Sequence, residues 1–178
     1  MYIQYLCDGQ QACEFDTPGN DIPACQEGYL SDYMQLFYDC LQDDETGPVA
    51  FTASAETGVS TKYTAWDVIV FDEVLTNFGG HYNPTTSSFI CPVDGVYLFS
   101  VSMLPYISVN IVVNLMRNNT VLSRAHGDDV SGSFNPVGTT VVTECSRGEP
   151  MWVNVYSSGS IYASNQYCVF TGHLIQRL

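Results

Sequence analysis

Positive charge is what this chain has least of. Its 178 residues carry five Lys and Arg against 19 Asp and Glu, a formal net charge of −14. Nucleic acid is therefore excluded as a natural partner, because its binding relies on Lys and Arg displacing condensed counterions. Charge of either sign is sparse at 13 %, about half the usual share, so Ser, Thr, Asn and Gln are expected to dress the surface. No apolar run approaches the ~20 residues of a membrane helix, so no membrane span is expected. No segment has a helical period, and no Gly-X-Y repeat is present to build a collagen stalk. The G-x-S-x-G hydrolase motif is missing. The three histidines, His81, His126 and His173, lie in separate segments. A nucleophile with its base and orienting acid is thus not assembled, and no enzyme is expected. Met1 to Gly9 has neither a basic start nor a long apolar stretch, unlike a signal peptide, and is expected to open a mature chain.

What is present divides unevenly. Four of seven cysteines, Cys7, Cys13, Cys25 and Cys40, fall in the first forty residues; Cys91, Cys145 and Cys168 follow later. This density points to an oxidising compartment and secretion. The C-x5-C and C-x14-C spacings differ from the short pairs that hold zinc. Residues 1–47 hold ten acids and no Lys or Arg. The expected organisation is a Cys-rich extension over 1–41, an acidic, turn-prone linker over 42–48 (QDDETGP), and one domain over 49–178. Asn118-Asn119-Thr120 is an N-glycosylation sequon in an expected hairpin turn.

From Val49 onward, short runs rich in Val, Ile, Phe, Tyr and Thr alternate with Gly, Asn, Pro, Asp and Ser. Nine or ten strands at this spacing imply a sandwich or jelly roll. In GVYLFSVSM, Tyr97, Phe99, Val101 and Met103 share one face, while Val96 and Leu98 begin the other. In EPMWVNVYS, Met151, Val153 and Val155 share one face, with Trp152 and Tyr156 opposite. A half-exposed sandwich strand alternates apolar and polar. Strands apolar on both sides need a second covering, which implies subunit contacts.

Phe71, Asn77, Tyr82, Phe89, Gly95, Tyr97 and Phe99 are spaced F-x5-N-x4-Y-x6-F-x5-G-x-Y-x-F. This pattern resembles the signature of the C1q globular-head family, relatives of the tumour-necrosis-factor ligands. One further aromatic of that pattern is Val101 here. VAFTA, VVNLMRNN, SRGEPMWVNVY and VFTGHLI resemble other family segments in order and spacing. The resemblance implies an all-β, ten-stranded jelly-roll sandwich of the C1q/tumour-necrosis-factor type, with a small disulfide-rich N-terminal extension. It also implies a head-only member and a homotrimer packed along a threefold axis.

Residues 1–41 resemble the C-terminal half of the sea-urchin-egg-type, galactose/rhamnose-binding lectin domain, without the sugar-contacting first half, so sugar binding is not carried over to this piece. That resemblance implies Cys7–Cys13, leaving Cys25 and Cys40 to pair, among three possible connectivities. Such bridges contribute roughly 2 and 3 kcal/mol by loop entropy, and the extension is expected to mediate higher assembly. For the remaining cysteines two states stay open: Cys145 bridges Cys168, or Cys91, Cys145 and Cys168 all remain buried thiols.

Two kinds of site are candidates. The C1q resemblance places calcium ligands at Asp128, with Asp129 adjacent, and at Asn135; the family's other calcium stretch corresponds to Tyr162–Tyr167, which has no acids. Calcium takes several oxygen ligands from loops, and His126-Gly127-Asp128-Asp129 is loop-like. Aromatic-bearing polar loops suit sugars, which stack apolar faces on rings and exchange hydrogen bonds with hydroxyls and amides. Tyr106, Ser108, Ser157, Ser158, Ser160, Tyr162, Asn165 and Gln166 are the candidates. The expected function is a secreted, trimeric, lectin-like protein that recognises extracellular glycans or microbial surfaces in innate immunity. An acidic, cation-binding matrix or mineral protein and a tumour-necrosis-factor-like receptor ligand are the alternatives.

Overall fold

The computed structural model describes residues 47–106, 109–127 and 135–178. The 1–41 extension, with Cys7, Cys13, Cys25 and Cys40, lies outside the described residues, as do Ser108, Asp128 and Asp129. The described chain is all strand and turn. Its elements are β1 (Ala50–Ser54), β2 (Gly58–Tyr63), β3 (Glu73–Phe78), β4 (Tyr82–Asn83), β5 (Ser88–Ile90) and β6 (Gly95–Met103). There follow β7 (Ile111–Arg117), β8 (Thr120–Gly127), β9 (Val137–Cys145), β10 (Pro150–Ser157), β11 (Gly159–Ala163) and β12 (Val169–Arg177). Two five-stranded sheets, β3-β1-β12-β6-β9 and β4-β5-β10-β7-β8, make the expected ten-stranded sandwich. A two-stranded β11–β2 ribbon is added to it. That ribbon escapes a reading of the chain because GVSTKY and GSIYA lack the long β-branched runs of the other strands.

The core forms because every second residue of the central strands is apolar and points between the sheets. Tyr97, Phe99, Val101 and Met103 of β6 are buried, as are Met151, Val153 and Val155 of β10. Phe51 lies among the rings of Tyr82, Phe89 and Phe170, with centroids 4.7, 4.9 and 4.8 Å away. The signature residues now have physical roles. The Asn77 amide donates to the Tyr82 carbonyl and accepts from the Tyr82 N–H at 2.9 and 3.1 Å, closing the β3–β4 turn. The Tyr82 hydroxyl donates to the Phe71 carbonyl at 2.8 Å, and burial pushes that phenol up to about 12. At Gly95 a Cβ would stand 2.6 Å from Leu174 Cδ1 and 2.8 Å from the Gln176 carbonyl, so any side chain would part β6 from β12. Val101, in the family's aromatic position, is buried opposite Phe170.

Cys91 bridges Cys145, across a sequence separation of 54 and with Cα atoms 6.3 Å apart. Both open expectations for these cysteines are thereby corrected. Cys145 closes the β9 end onto the segment after β5, while Cys168 is a free buried thiol at the other end of the sandwich. Cys168 Sγ accepts from the Leu104 N–H at 3.3 Å, and burial raises its thiol to about 11.

The outward face of the first sheet divides into bands. One row, read across the strands by register, is Val142–Leu98–His173–Ala50–Phe78. The next is Thr140–Ser100–Thr171–Thr52–Thr76, whose hydroxyls pair at 2.9 Å (Ser100–Thr140) and 3.0 Å (Thr52–Thr171). Val142 and Phe78 are 58 and 56 % exposed. This row, apolar except for the exposed His173 at its centre, is the uncovered second face that β6 foreshadowed.

Candidate ligand-binding site

At the Met103 end of β6 the chain runs on through Leu104 and Pro105 to Tyr106. This segment pairs with β11: Tyr106 N–H donates to the Ser160 carbonyl at 2.9 Å, and Tyr162 N–H donates to Leu104 at 2.8 Å. The pairing presents Tyr106 and Tyr162 side by side, their rings stacked at 6.4 Å and 20°. A tight loop follows β11. The Tyr167 ring meets the Tyr162 ring edge-on at 5.4 Å and 86°. Ser102, Leu104, Pro136, Tyr162, Gln166 and Tyr167 line an open groove of about 500 Å³. No ionised side chain is among them, although the chain as a whole is strongly acidic.

The 164–167 loop owes its shape to one carboxylate. Asn165 and Gln166 both adopt left-handed backbone, with φ of 54° and 60°, which turns their consecutive N–H groups the same way. Glu56 accepts both, at 3.0 and 2.8 Å. Asp72 in turn accepts the Glu56 N–H at 2.8 Å. Glu56 therefore positions Gln166 and Tyr167 in the groove wall. Glu56→Ala is expected to speed amide exchange at Asn165 and Gln166 and to weaken groove ligands about tenfold, since hydrogen bonds to charged groups contribute about 1.5–3 kcal/mol. Glu56→Gln, which keeps one acceptor oxygen, should lose less; hydrogen exchange followed by mass spectrometry checks both.

Of the candidates read from sequence, Tyr162 and Gln166 line this groove, and Tyr106 stacks on Tyr162 without lining it. Asn165 belongs to the same loop, exposed, with its N–H engaged by Glu56. Ser157, Ser158 and Ser160 do not join them. Ser157 ends β10 opposite Val112, Ser158 is an exposed link, and Ser160 is a buried β11 residue opposite Lys62. The 157–162 stretch is therefore strand over most of its length rather than a loop. Sequence reading missed Tyr167, Pro136, Ser102 and Leu104. The Tyr162-x4-Tyr167 spacing just before the last strand was the one available signal.

Asn135 is exposed. Among the described residues no group of three or more His, Cys, Asp and Glu is placed to hold a metal ion. Asn118 lies between β7 and β8 as expected, exposed and in left-handed backbone at φ 49°. Its amide nitrogen, where a glycan would attach, donates to Glu149 at 2.8 Å, and its carbonyl accepts from the Trp152 indole at 3.1 Å.

The signature, the two five-stranded sheets and their strand order define a C1q-type jelly roll. The C1q domain profile matches residues 50–175, and the chain belongs to the C1q domain family. It is similar to caprin-2 of Danio rerio, 33 % identical over 71 % of this chain and 14 % of the relative. It is also similar to human complement C1q tumor necrosis factor-related protein 3, 28 % identical over 71 % of this chain and 51 % of the relative. The chain thus matches only a seventh and about half of the lengths of these two relatives. Among solved structures, the globular domain of zebrafish complement 1qA superposes with a TM-score of 0.61 at 19 % identity, over 73 % of this chain and 99 % of that one. The Eiger TNF structure from S. frugiperda gives 0.60 at 11 %, over 74 % and 94 %, and shares the fold. No helix among the described residues is long and apolar enough to cross a membrane.

Proposed function

We propose that this chain is a secreted, homotrimeric, lectin-like recognition protein that binds extracellular glycans or microbial surfaces in innate immunity. The tyrosine-lined groove carries the reading. Two tyrosine rings, a primary amide and a hydroxyl converge in a concave, uncharged site, with Tyr106 stacked on Tyr162 beside it. Such a surface suits a pyranose, whose C–H face packs on rings while its hydroxyls exchange hydrogen bonds with Gln166 and Ser102. One such groove binds weakly. Three on a common axis raise apparent affinity by ~10²–10⁴ where the glycan can reach more than one. The apolar row on the first sheet supports trimerisation, since it is exposed in the protomer. The Cys91–Cys145 bridge and the exposed Asn118 turn suit an oxidising, extracellular setting. The Cys-rich extension would mediate assembly beyond the trimer, and Asp128, Asp129 and Asn135 would supply calcium ligands.

A glycan array run with calcium and with chelator tests this. Specific glycans are retained, free sugar competes them off, and Tyr167→Ala lowers retention about tenfold, equivalent to about 1.4 kcal/mol. An array with no specific retention in either condition overturns the reading. Loss of signal on chelation assigns calcium a part in recognition.

A further inference from the structure

Trp66 has no part in the groove and is anomalous in two respects. Its indole is 58 % exposed, and its φ is 74°. Left-handed backbone is favourable for Gly and tolerable for Asn, but strained for a bulky residue. Strain of this kind persists where the surroundings over-determine it, and it concentrates at functional positions. Here the surroundings are clear. Trp66 N–H donates to the Val155 carbonyl at 2.6 Å, and Val155 N–H donates to Asp67 at 3.0 Å, so the turn is stitched to β10. The Asp67 Oδ2 accepts from the Thr64 N–H and hydroxyl at 2.6 and 2.8 Å, closing the turn from inside.

The indole is also braced. It meets Tyr156 edge-on at 5.8 Å and 78°. The Arg124 guanidinium lies over the Tyr156 ring at 4.6 Å, and its Nε donates to Asn114 Oδ1 at 2.8 Å. Asn114 donates to Asn154 at 2.8 Å, and both amides are buried. A ladder on the outer face of the second sheet, anchored on a buried amide pair, thus ends in an exposed, braced indole. The next residue, Asp67, has one carboxylate oxygen committed to the turn and the other, Oδ1, accepting nothing among the described residues.

We propose that the Trp66–Asp67 turn is a second saccharide site, taking the C–H face of a neutral hexopyranose on the indole and one of its hydroxyls on Asp67 Oδ1. Large rigid rings give contact area at little entropic cost, and a carboxylate acceptor strengthens a hydroxyl's hydrogen bond. The Thr64 bonds hold Asp67 below the usual carboxylate range, so this acceptor stays ionised at neutral pH. The same charge repels a carboxylate or sulfate presented at this position, which disfavours sialylated, uronic and sulfated sugars. The site shares a ligand class with the groove and none of its residues.

The chain has two tryptophans, so Trp152→Phe leaves Trp66 as the sole indole, excited selectively on the red edge where tyrosine does not absorb. Methyl glycosides of glucose, galactose, mannose and N-acetylglucosamine, titrated into full-length Trp152→Phe protein, are expected to shift its emission saturably for at least one of them. Sialic acid should produce no shift. Asp67→Asn should weaken that response about tenfold, and Tyr167→Ala should leave it unchanged. Trp66→Gly in the parent protein should melt at an equal or higher temperature, because the left-handed strain is relieved, while losing the saccharide response read by saturation-transfer NMR in a Tyr167→Ala background. No emission shift with any neutral glycoside, an equal response to sialic acid, or a Trp66→Gly protein melting several degrees lower each overturns the proposal. Retention on the glycan array alongside a silent Trp66 refutes this site while leaving the groove standing. A responsive Trp66 with an array insensitive to Tyr167→Ala does the reverse.

Discussion

Val142→Asp is expected to split the proposed trimer into folded monomers and to cut apparent affinity for a multivalent surface by ~10²–10⁴. Val142 heads the apolar row on the first sheet, opposite Leu98, and is 58 % exposed in the protomer. An aspartate there meets water in the monomer, so protomer stability should change by no more than about 0.5 kcal/mol. In a closed threefold assembly the same substitution appears three times, each carboxylate desolvated against an apolar neighbour without a partner. Sedimentation should show the mass falling to a third, with the β spectrum preserved. Affinity for a monovalent sugar should hold, because the groove residues lie elsewhere in the protomer. A Val142→Asp protein that keeps its mass would show that this row is not the subunit contact, and the hydroxyl band around Ser100 and Thr171 would be the next face to test.

Cys145→Ala is expected to cost about 4 kcal/mol, the loop entropy released when a bridge across 54 residues is opened. For a domain of this size that lowers the melting temperature by on the order of 10–20 °C. The bridge joins the end of β9, an edge of the first sheet, to the segment leaving β5 in the second. Opening it frees both ends of the sandwich at this pole. Cys168→Ala is the matched control: it also removes a buried sulfur but closes no loop, and its cost should be near 1 kcal/mol, the ordinary scale of a small core truncation. Calorimetry on the two variants separates loop closure from packing. Equal losses would assign the effect of Cys145 to packing alone.

The features legible in the sequence are those whose cause is local or periodic. Alternation along β6 and β10 announced which side chains enter the core, and burial follows it, except that Asn154 on the opposite face of β10 is buried as well. Asn77, Tyr82 and Gly95 were readable as a signature because each satisfies a short-range demand: a turn closed by an amide, a phenol reaching a nearby carbonyl, a strand pair too close for a Cβ. β2 and β11 were not readable. Gly58–Tyr63 and Gly159–Ala163 pair with each other from about a hundred residues apart, β11 also pairs with the segment after β6, and neither has the pattern to announce itself. The choice of Cys91 over Cys168 as the partner of Cys145 is of the same kind, since spacing along the chain does not determine spacing in space.

The sites show the division most sharply. Residue chemistry selected Tyr106, Tyr162 and Gln166, because rings and amides suit sugars wherever they fall. It also selected Ser157 and Ser160, which the fold places in strands away from the groove. Tyr167, Pro136 and the Glu56 clamp come together only when the ends of β1, β6, β9 and β11 meet. The left-handed backbone of Trp66 exists only because β10 holds its turn. By itself, the sequence determined the all-β class, the two-sided apolar strands and the absence of a basic surface, because hydrophobic period and net charge are properties of the chain. The tertiary structure decided which cysteines pair, which tyrosines share a groove and which tryptophan stands in water, because each depends on strand ends that meet only after both sheets have closed over one core.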